Sequence, residues 1–361
     1  MLERRFWSNC ALILLLLTSI SIWHIYTSHS ITIRSAYDYN TSTRYSPLSF
    51  TLHTANSSYK HPMYQLPQLD YNTLMNLTTF DFAILNKCKT WPLLLILVHS
   101  APNNYHRRKS IRETWGSKLQ NASIFFMLGL ARESRLQKKI AEENRNHRDI
   151  VQGTFLDVYR NVTYKHVMSL KFAIYHCPNA KYILKTDDDV FVNMPRIVNF
   201  LTVDLSPYGA ERLLSCSKRA HSPVKRSFRS KWRVSFNEYQ NEYYPAYCPG
   251  WVIMYSPDVI FVLYREVQKF DYFWIDDVLI TGILRERENI EIHDATSMIL
   301  PCDNLKKILQ HEIIDQGADF LYGPADLSIR EMYALFHLVK NVSSLKSRPS
   351  ARRFLKLSSP K

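Results

Sequence analysis

The sequence predicts an α/β fold with a mainly parallel sheet, set behind an N-terminal membrane-spanning helix. Three observations carry this. Apolar strand-type runs alternate with helical stretches from residue 93 to residue 187. About twenty mostly apolar residues, 6–26, follow Arg4 and Arg5. The chain is 46% apolar and 13% aromatic, enough to build a core rather than remain disordered.

The N-terminal elements come first. Residues 1–5 read as a short cytoplasmic tail and 6–26 as a signal anchor, because the positive flank precedes the apolar run. A cleaved signal peptide is the competing reading. No small-residue cleavage site closes the run, where Trp23, His24 and Tyr26 are bulky, so an uncleaved anchor is favoured. Residues 27–86 are rich in Ser, Thr, Asn, Tyr and Pro without sustained periodicity and read as a poorly packed lumenal stem. Glycosylation sequons at Asn40, Asn56, Asn76, Asn121, Asn161 and Asn341 all follow the anchor and agree with a lumenal chain. Cys10 lies in the anchor. The odd set Cys88, Cys177, Cys216, Cys248 and Cys302 then predicts two disulfides and one free or intermolecular thiol. The formal net charge of +14 would suit nucleic acid, but a lumenal protein does not normally meet it. The basic residues in 218–233 and in the tail 346–361 read as solvated loop and tail charge. Attraction of an anionic donor or a membrane is the alternative.

The folded domain is expected over 87–345. Strand-type runs are predicted at 93–99, 123–129 and 149–155, alternating with helices at 106–119 and 132–147. Val167, Leu170, Lys171 and Ile174 recur at helical spacing before a strand that ends at Asp187. Further strands are expected at 213–217 and 251–256, and helices near 257–268, 276–286 and 328–340. In such sheets ligands bind beyond the carboxyl ends of the strands. That is where Asp187, Asp188 and Asp189 fall.

Three adjacent carboxylates between apolar flanks repel one another unless a cation sits among them. A solvated turn or helix cap is the plain alternative. An EF-hand needs other residues at 191, 192 and 198, and no zinc-type Cys or His pair occurs. Mn²⁺ or Mg²⁺ held against a phosphate-bearing substrate remains. Phosphate-cradling glycine loops are absent, which makes a nucleotide-sugar attractive, its departing diphosphate stabilised by the metal. Such chemistry needs a base for an acceptor hydroxyl. The pair Asp276 and Asp277, behind Trp274, is the candidate, against an ordinary helix-cap reading.

Seven segments then bring a family into view: "RRKSIRETWG" (107–116), "FFMLG" (125–129), "DIVQGTFLDVYRNVTYK" (149–165), "YILKTDDDVFVN" (182–193), "KWRVS" (231–235), "YYPAYCPGWVIMYSPDV" (243–259) and "IDDVLITG" (275–282). In this order they resemble the β-1,3-galactosyltransferase family of Golgi glycosyltransferases, which includes β-1,3-N-acetylglucosaminyltransferases. The resemblance implies a GT-A (Rossmann-like) fold, a Golgi type II membrane protein, a UDP-sugar donor, a glycan acceptor on glycoprotein or glycolipid, and Mn²⁺. It also implies an inverting single displacement giving a β-1,3 linkage, most readily of galactose. Asp189 is then the expected metal ligand, assisted by Asp187, while Asp187 and Asp188 sit toward the donor's sugar and ribose. Asp277 matches the catalytic base, with Asp276 as runner-up. Arg108, Arg112, Asp157, Lys165 and Lys185 fall in motifs that line the donor site, with structural ion pairing as the alternative. Tyr244, Tyr247, Trp251 and Trp274 are candidates to stack on acceptor sugars. Family members often supply a histidine metal ligand before the C-terminal helix. Residues 319–332 contain none, leaving His293 and His311 as the nearest substitutes. Transfer of N-acetylglucosamine or N-acetylgalactosamine is the rival within the class. A catalytically silent lumenal lectin or partner protein is the rival outside it, and a homo-oligomer is open.

Overall fold

The computed structural model describes residues 50–346, except 56–58, 89–90, 118, 120 and 311–318. The expected tail 1–5, the span 6–26, the stem as far as residue 49 and the chain from 347 lie outside the described residues, as do Asn40, Asn56 and His311. Among the described residues no helix is long and apolar enough to cross a membrane.

The strands are β1 (Thr51–Leu52), β2 (Phe82–Ile84), β3 (Leu94–His99), β4 (Ala122–Leu130), β5 (Ile150–Leu156), β6 (Tyr182–Asp187), β7 (Ala210–Glu211), β8 (Leu214–Cys216), β9 (Val252–Tyr255) and β10 (His293–Asp294). Eight of them form one mixed sheet in the order β10-β8-β9-β6-β3-β4-β5-β2, while β1 and β7 pair separately. Strands β3 to β6 are parallel, as the alternation of strand and helix requires. Strand β9 runs antiparallel beside β6, and β2 antiparallel beside β5.

Both faces of the sheet are covered, which is why its central strands are continuous apolar runs. Leu95 and Leu97 of β3 face one core, with Val167 and Leu170 of the helix Val162–His176 and with Val259 and Leu263 of the helix Pro257–Val267. Leu94, Ile96 and Val98 face the other, with Ile111 of the helix Tyr105–Glu113, Ile140 of Ser134–His147 and Leu335 of Ile329–Lys346. The central helix is buried from Thr163 to Ile174, and its polar side chains there are hydrogen-bonded.

Two expectations change. The helix predicted over 106–119 ends at Glu113, where the amide N–H groups of Thr114 and Gly116 both turn back to the Ile111 carbonyl. A Cβ on Gly116 would stand 2.8 Å from that oxygen, so glycine is what permits the turn. The segment from residue 50 to 86, expected within a poorly packed stem, supplies β1 and β2 and buries Leu74, Phe80 and Phe82. It is fastened by Asp70, whose Oδ2 accepts the hydroxyls of Tyr175 and Tyr264, each at 2.7 Å. Lys171 Nζ donates to the Thr73 carbonyl at 2.8 Å. These partners lie about a hundred or more residues away, so no local pattern announces them. The cysteine arithmetic holds among the described residues: Cys88 pairs with Cys177 and Cys216 with Cys248, and Cys302 is free and exposed.

Candidate active site

Strand β6 delivers the acidic triplet at its carboxyl end, in register with β3 so that His99 stands opposite Asp187. The strand ends at Asp187 and the turn that follows separates the three carboxylates. Asp188 turns into the fold, where its Oδ2 accepts from Ser100 Oγ at 2.6 Å and from Asn104 Nδ2 at 2.9 Å. Asp187 and Asp189 face a cavity of about 720 Å³. Asp188, expected toward the donor's ribose, is buried beside Ser100 and Asn104 and does not line this cavity.

The same cavity is lined by Asp276 and Asp277, at the head of a wide helical turn, Val278–Leu284. Asp277 caps it. Its Oδ1 accepts from the Val278 amide at 2.8 Å and its Oδ2 from the Gly250 amide at 3.1 Å. Burial, then the charge of Asp276, pushes the Asp277 carboxyl up to about 7. Asp276 goes the other way. Burial raises it, but the hydrogen bond from His166 and the charge of Lys185 outweigh that and leave it below the ordinary range. Two adjacent carboxyls thus diverge: one stays ionised, the other gains a proton affinity suited to exchange near neutrality.

Lys185 joins the two acidic groups. It is buried, its Nζ lies 3.1 Å from Asp187 Oδ1, and it donates to the Gly250 carbonyl. Burial alone would lower its pKa, but the charges of Asp187 and Asp276 outweigh that and raise it. A Cβ on Gly250 would stand 3.1 Å from Lys185 Nζ, so the bare backbone is what lets the ammonium sit there.

The other expected donor residues stand elsewhere. Arg108 is fully buried against Glu143, with Nη2 2.7 Å from Oε2, and also donates to Ser100 Oγ at 3.0 Å. Arg112 is divided between Glu143 at 2.8 Å and Asp149 at 2.7 Å. Lys165 pairs with Asp157 at 2.9 Å and donates to the Ser100 carbonyl at 2.6 Å. Asp157 also accepts the Gly129 amide at 2.7 Å. None of these four lines the cavity. They are engaged in buried or part-buried ion pairs, the alternative that their charged pattern left open.

Tyr244, Tyr247, Trp251 and Trp274 all line the cavity as expected of an aromatic wall. Arg219, Lys225, Lys231 and Trp232 also line it, so the basic run 218–233 brings positive charge to the site, the alternative to a solvated loop. None of the four is singled out as a site residue by the sequence. Asp326 enters from the loop before the last helix, where a histidine was sought. A lone acid in a loop carries no signal in one sequence. His293 sits instead in β10, edge-on to Phe50 with ring centroids 4.6 Å apart, and does not line the cavity.

The carboxylates offer a partial seat for a divalent cation. Asp189 has one basic neighbour, Arg107, at 3.7 Å. Burial and then the charges of Asp187 and Asp188 push its carboxyl up to about 6. Among the described residues no three His, Cys, Asp or Glu side chains converge to hold a metal by themselves. Two hard oxygen donors in an over-acidic pocket fit an ion that completes its shell from a ligand's phosphate oxygens.

Comparison with known proteins places the chain in a family. A family model described as galactosyltransferase matches residues 106–296. A β-1,3-galactosyltransferase 5 of Gorilla gorilla gorilla is 33% identical over 214 residues, covering 58% of this chain and 70% of that protein. A lactosylceramide 1,3-N-acetyl-β-D-glucosaminyltransferase of Homo sapiens is 31% identical over 262 residues, covering 68% and 69%. A UDP-GalNAc:β-1,3-N-acetylgalactosaminyltransferase 1 of Rattus norvegicus is 32% identical over 209 residues, covering 56% and 62%.

Proposed function

The chain belongs to the galactosyltransferase family and is a glycosyltransferase, and from that premise we propose that it moves galactose from UDP-galactose to the 3-hydroxyl of an acceptor glycan, inverting the anomeric centre. The observation that carries this reading is one cavity lined by Asp187, Asp189 and Asp277 together. Asp277 takes the proton of the acceptor hydroxyl. The oxygen forms its bond to the anomeric carbon as the bond to the diphosphate breaks, and UDP departs. A base with a pKa near 7 suits this step, since near neutrality a large share of it is unprotonated and it still accepts a proton readily. The Val278 and Gly250 amides fix both carboxylate oxygens, and Lys185 offsets the charge behind them.

Asp189 and Asp187 would hold Mn²⁺ or Mg²⁺, which would supply charge neutralisation at the departing diphosphate. Arg219, Lys225 and Lys231 add positive charge for the same anion. Relatives that use galactose, N-acetylglucosamine and N-acetylgalactosamine by name match with nearly equal identity, so the donor sugar rests on the family description. The Golgi membrane, type II orientation and glycosylation belong to the same proposal. The anchor sequence, the sequons and two disulfides support them. Asn76, Asn121 and Asn341 are exposed, while Asn161 is half-buried and donates from Nδ2 to the Leu156 carbonyl at 2.9 Å.

UDP release by the full chain, followed with three UDP-sugars over mixed acceptors, tests the reading. Acceptor-dependent turnover with UDP-galactose, lost in EDTA and in Asp189→Ala and Asp277→Asn, is expected. Folded protein that binds no UDP would overturn it.

A further inference from the structure

A second cavity, of about 710 Å³, shares Tyr244 with the catalytic one. Its walls are aromatic: Tyr239, Tyr243, Phe270, Tyr272 and Phe273 line it. The rings run without interruption toward the catalytic cavity. Phe273 and Tyr239 have centroids 6.0 Å apart, Tyr239 and Tyr244 5.1 Å, and Tyr244 and Tyr247 6.2 Å. Leu279 and Ile283 close another side, and they belong to the same helical turn that Asp277 caps. The two cavities are therefore joined by one ring path and one short helix.

The balance of charge differs from that of the catalytic cavity, where four basic side chains stand among five aspartates. Glu238, Asp271 and Glu286 line this one against a single basic residue, Arg287, whose guanidinium sits over the Phe270 ring at 4.5 Å. A diphosphate therefore finds several cationic partners in the first cavity and only Arg287 in the second. The Tyr244 hydroxyl, more than nine-tenths buried in the shared wall, has no hydrogen-bond partner. A buried hydroxyl left so is costly unless a ligand's polar group completes it. Aromatic faces with carboxylates at their margins suit the C–H faces and hydroxyl groups of an uncharged sugar.

We propose that this second cavity binds further sugars of the acceptor, so that the enzyme selects neutral oligosaccharides longer than the reacting unit and disfavours sialylated or sulfated ones. The inference rests on the transfer reading above in placing the reacting sugar at Asp277.

The test uses the full chain and an array of neutral, sialylated and sulfated glycans of one to six sugars, read by binding rather than turnover. Wild type should retain neutral glycans of three or more sugars about ten-fold better than monosaccharides. Tyr243→Ala, at a half-exposed position, should lose about five-fold on the longer glycans only. The exposed pair changed as Asp271→Lys with Glu286→Lys should shift retention toward the sialylated members, and UDP affinity should stay unchanged in both variants. Equal retention of long and short glycans, or losses shared by monosaccharides and UDP, would overturn the subsite. Length-dependent binding that needs Tyr243, in a chain that transfers nothing, would sink the transfer reading alone.

Discussion

His166 Nδ1 donates to Asp276 Oδ2 over 2.7 Å, and His166 Nε2 accepts from the Tyr255 hydroxyl at 3.2 Å. Burial lowers the imidazole's pKa by more than Asp276 raises it, which favours the neutral ring, and an ionised Asp276 then requires the proton on Nδ1. The relay comes from the core helix and from β9, and it ends on the carboxylate beside the proposed base. Asp276 stays ionised because of it, and that charge in turn raises Asp277.

His166→Ala would leave a buried carboxylate and a buried hydroxyl unpaired. The expected cost is about 1–3 kcal/mol in unfolding free energy. Weakening the charge on Asp276 also removes part of what raises Asp277, so the acidic limb of the pH–rate profile should move to lower pH. Denaturant unfolding together with that profile checks both. Loss of stability without any movement of the limb would reduce His166 to a packing residue.

Asp277 makes a second pH prediction with a defined sign. As a base it works only unprotonated, so kcat/KM should rise with pH and reach half its plateau near pH 7. Asp277→Asn should lower kcat by about 10² to 10⁴ and abolish that rise. Stability runs the opposite way. The folded carboxyl binds its proton more tightly than the unfolded one, whose ordinary value is 3.8, so its contribution is full below 3.8 and lost as pH rises through about 7. Asp277→Asn should therefore match wild type in stability at low pH and exceed it above 7. Melting temperatures of both proteins across pH 4–8 would decide it.

Arg108 separates scaffold from donor site. It lies in a family motif, but its guanidinium is spent on Glu143, Ser100 and the carbonyls of Ala101 and Pro102. Arg108→Ala strips the partner from buried Glu143 and should cost about 3–5 kcal/mol, seen as low yield and a depressed melting point. Whatever folds should keep an ordinary UDP affinity. A stable variant with weak UDP binding would return Arg108 to the donor site.

The same residue shows where the sequence was legible. The strands from β3 to β6 could be read because they are buried on both faces and their apolar runs leave no alternative. The acidic triplet and the Asp276–Asp277 pair were readable because like charges at strand or helix ends between apolar flanks are costly without a purpose. Which carboxylate faces the cavity was not readable, since it depends on the register of β6 against β3 and on Ser100 and Asn104 claiming Asp188. Arg108 and Arg112 look the same in sequence whether they meet a phosphate or Glu143, because that glutamate arrives from a different helix. His166 and Asp70 are single residues within longer segments, and only long-range packing gives them meaning.

The Cys216–Cys248 disulfide ties the end of β8 to the loop that carries Gly250 and Trp251. Its loss should cost about 2–4 kcal/mol. Because the Gly250 amide holds Asp277 Oδ2 at 3.1 Å, the damage should reach catalysis too. Cys216→Ser with Cys248→Ser is expected to lower the melting temperature and kcat together, while Cys302→Ser, at the exposed thiol, changes neither. Thermal unfolding and turnover of the two variants side by side would settle the assignment.

Cation binding should depend on the nucleotide. Asp187 and Asp189 face the cavity, and no third histidine, cysteine or carboxylate among the described residues completes a shell with them. Mn²⁺ alone should therefore bind weakly. A diphosphate in the same cavity supplies the missing oxygens, so UDP should tighten Mn²⁺ by about ten-fold or more, and Mn²⁺ should tighten UDP by the same factor. Titrations followed by Mn²⁺ electron paramagnetic resonance and by calorimetry give the two factors independently. Asp189→Ala should remove the coupling but spare the weak UDP binding contributed by Lys225 and Lys231, and EDTA should reproduce that state in wild type. Strong Mn²⁺ binding without UDP would mean that Asp326 or a residue outside the described set completes the shell. UDP affinity indifferent to Mn²⁺ would leave the lysines and Arg219 as the only groups that answer the diphosphate.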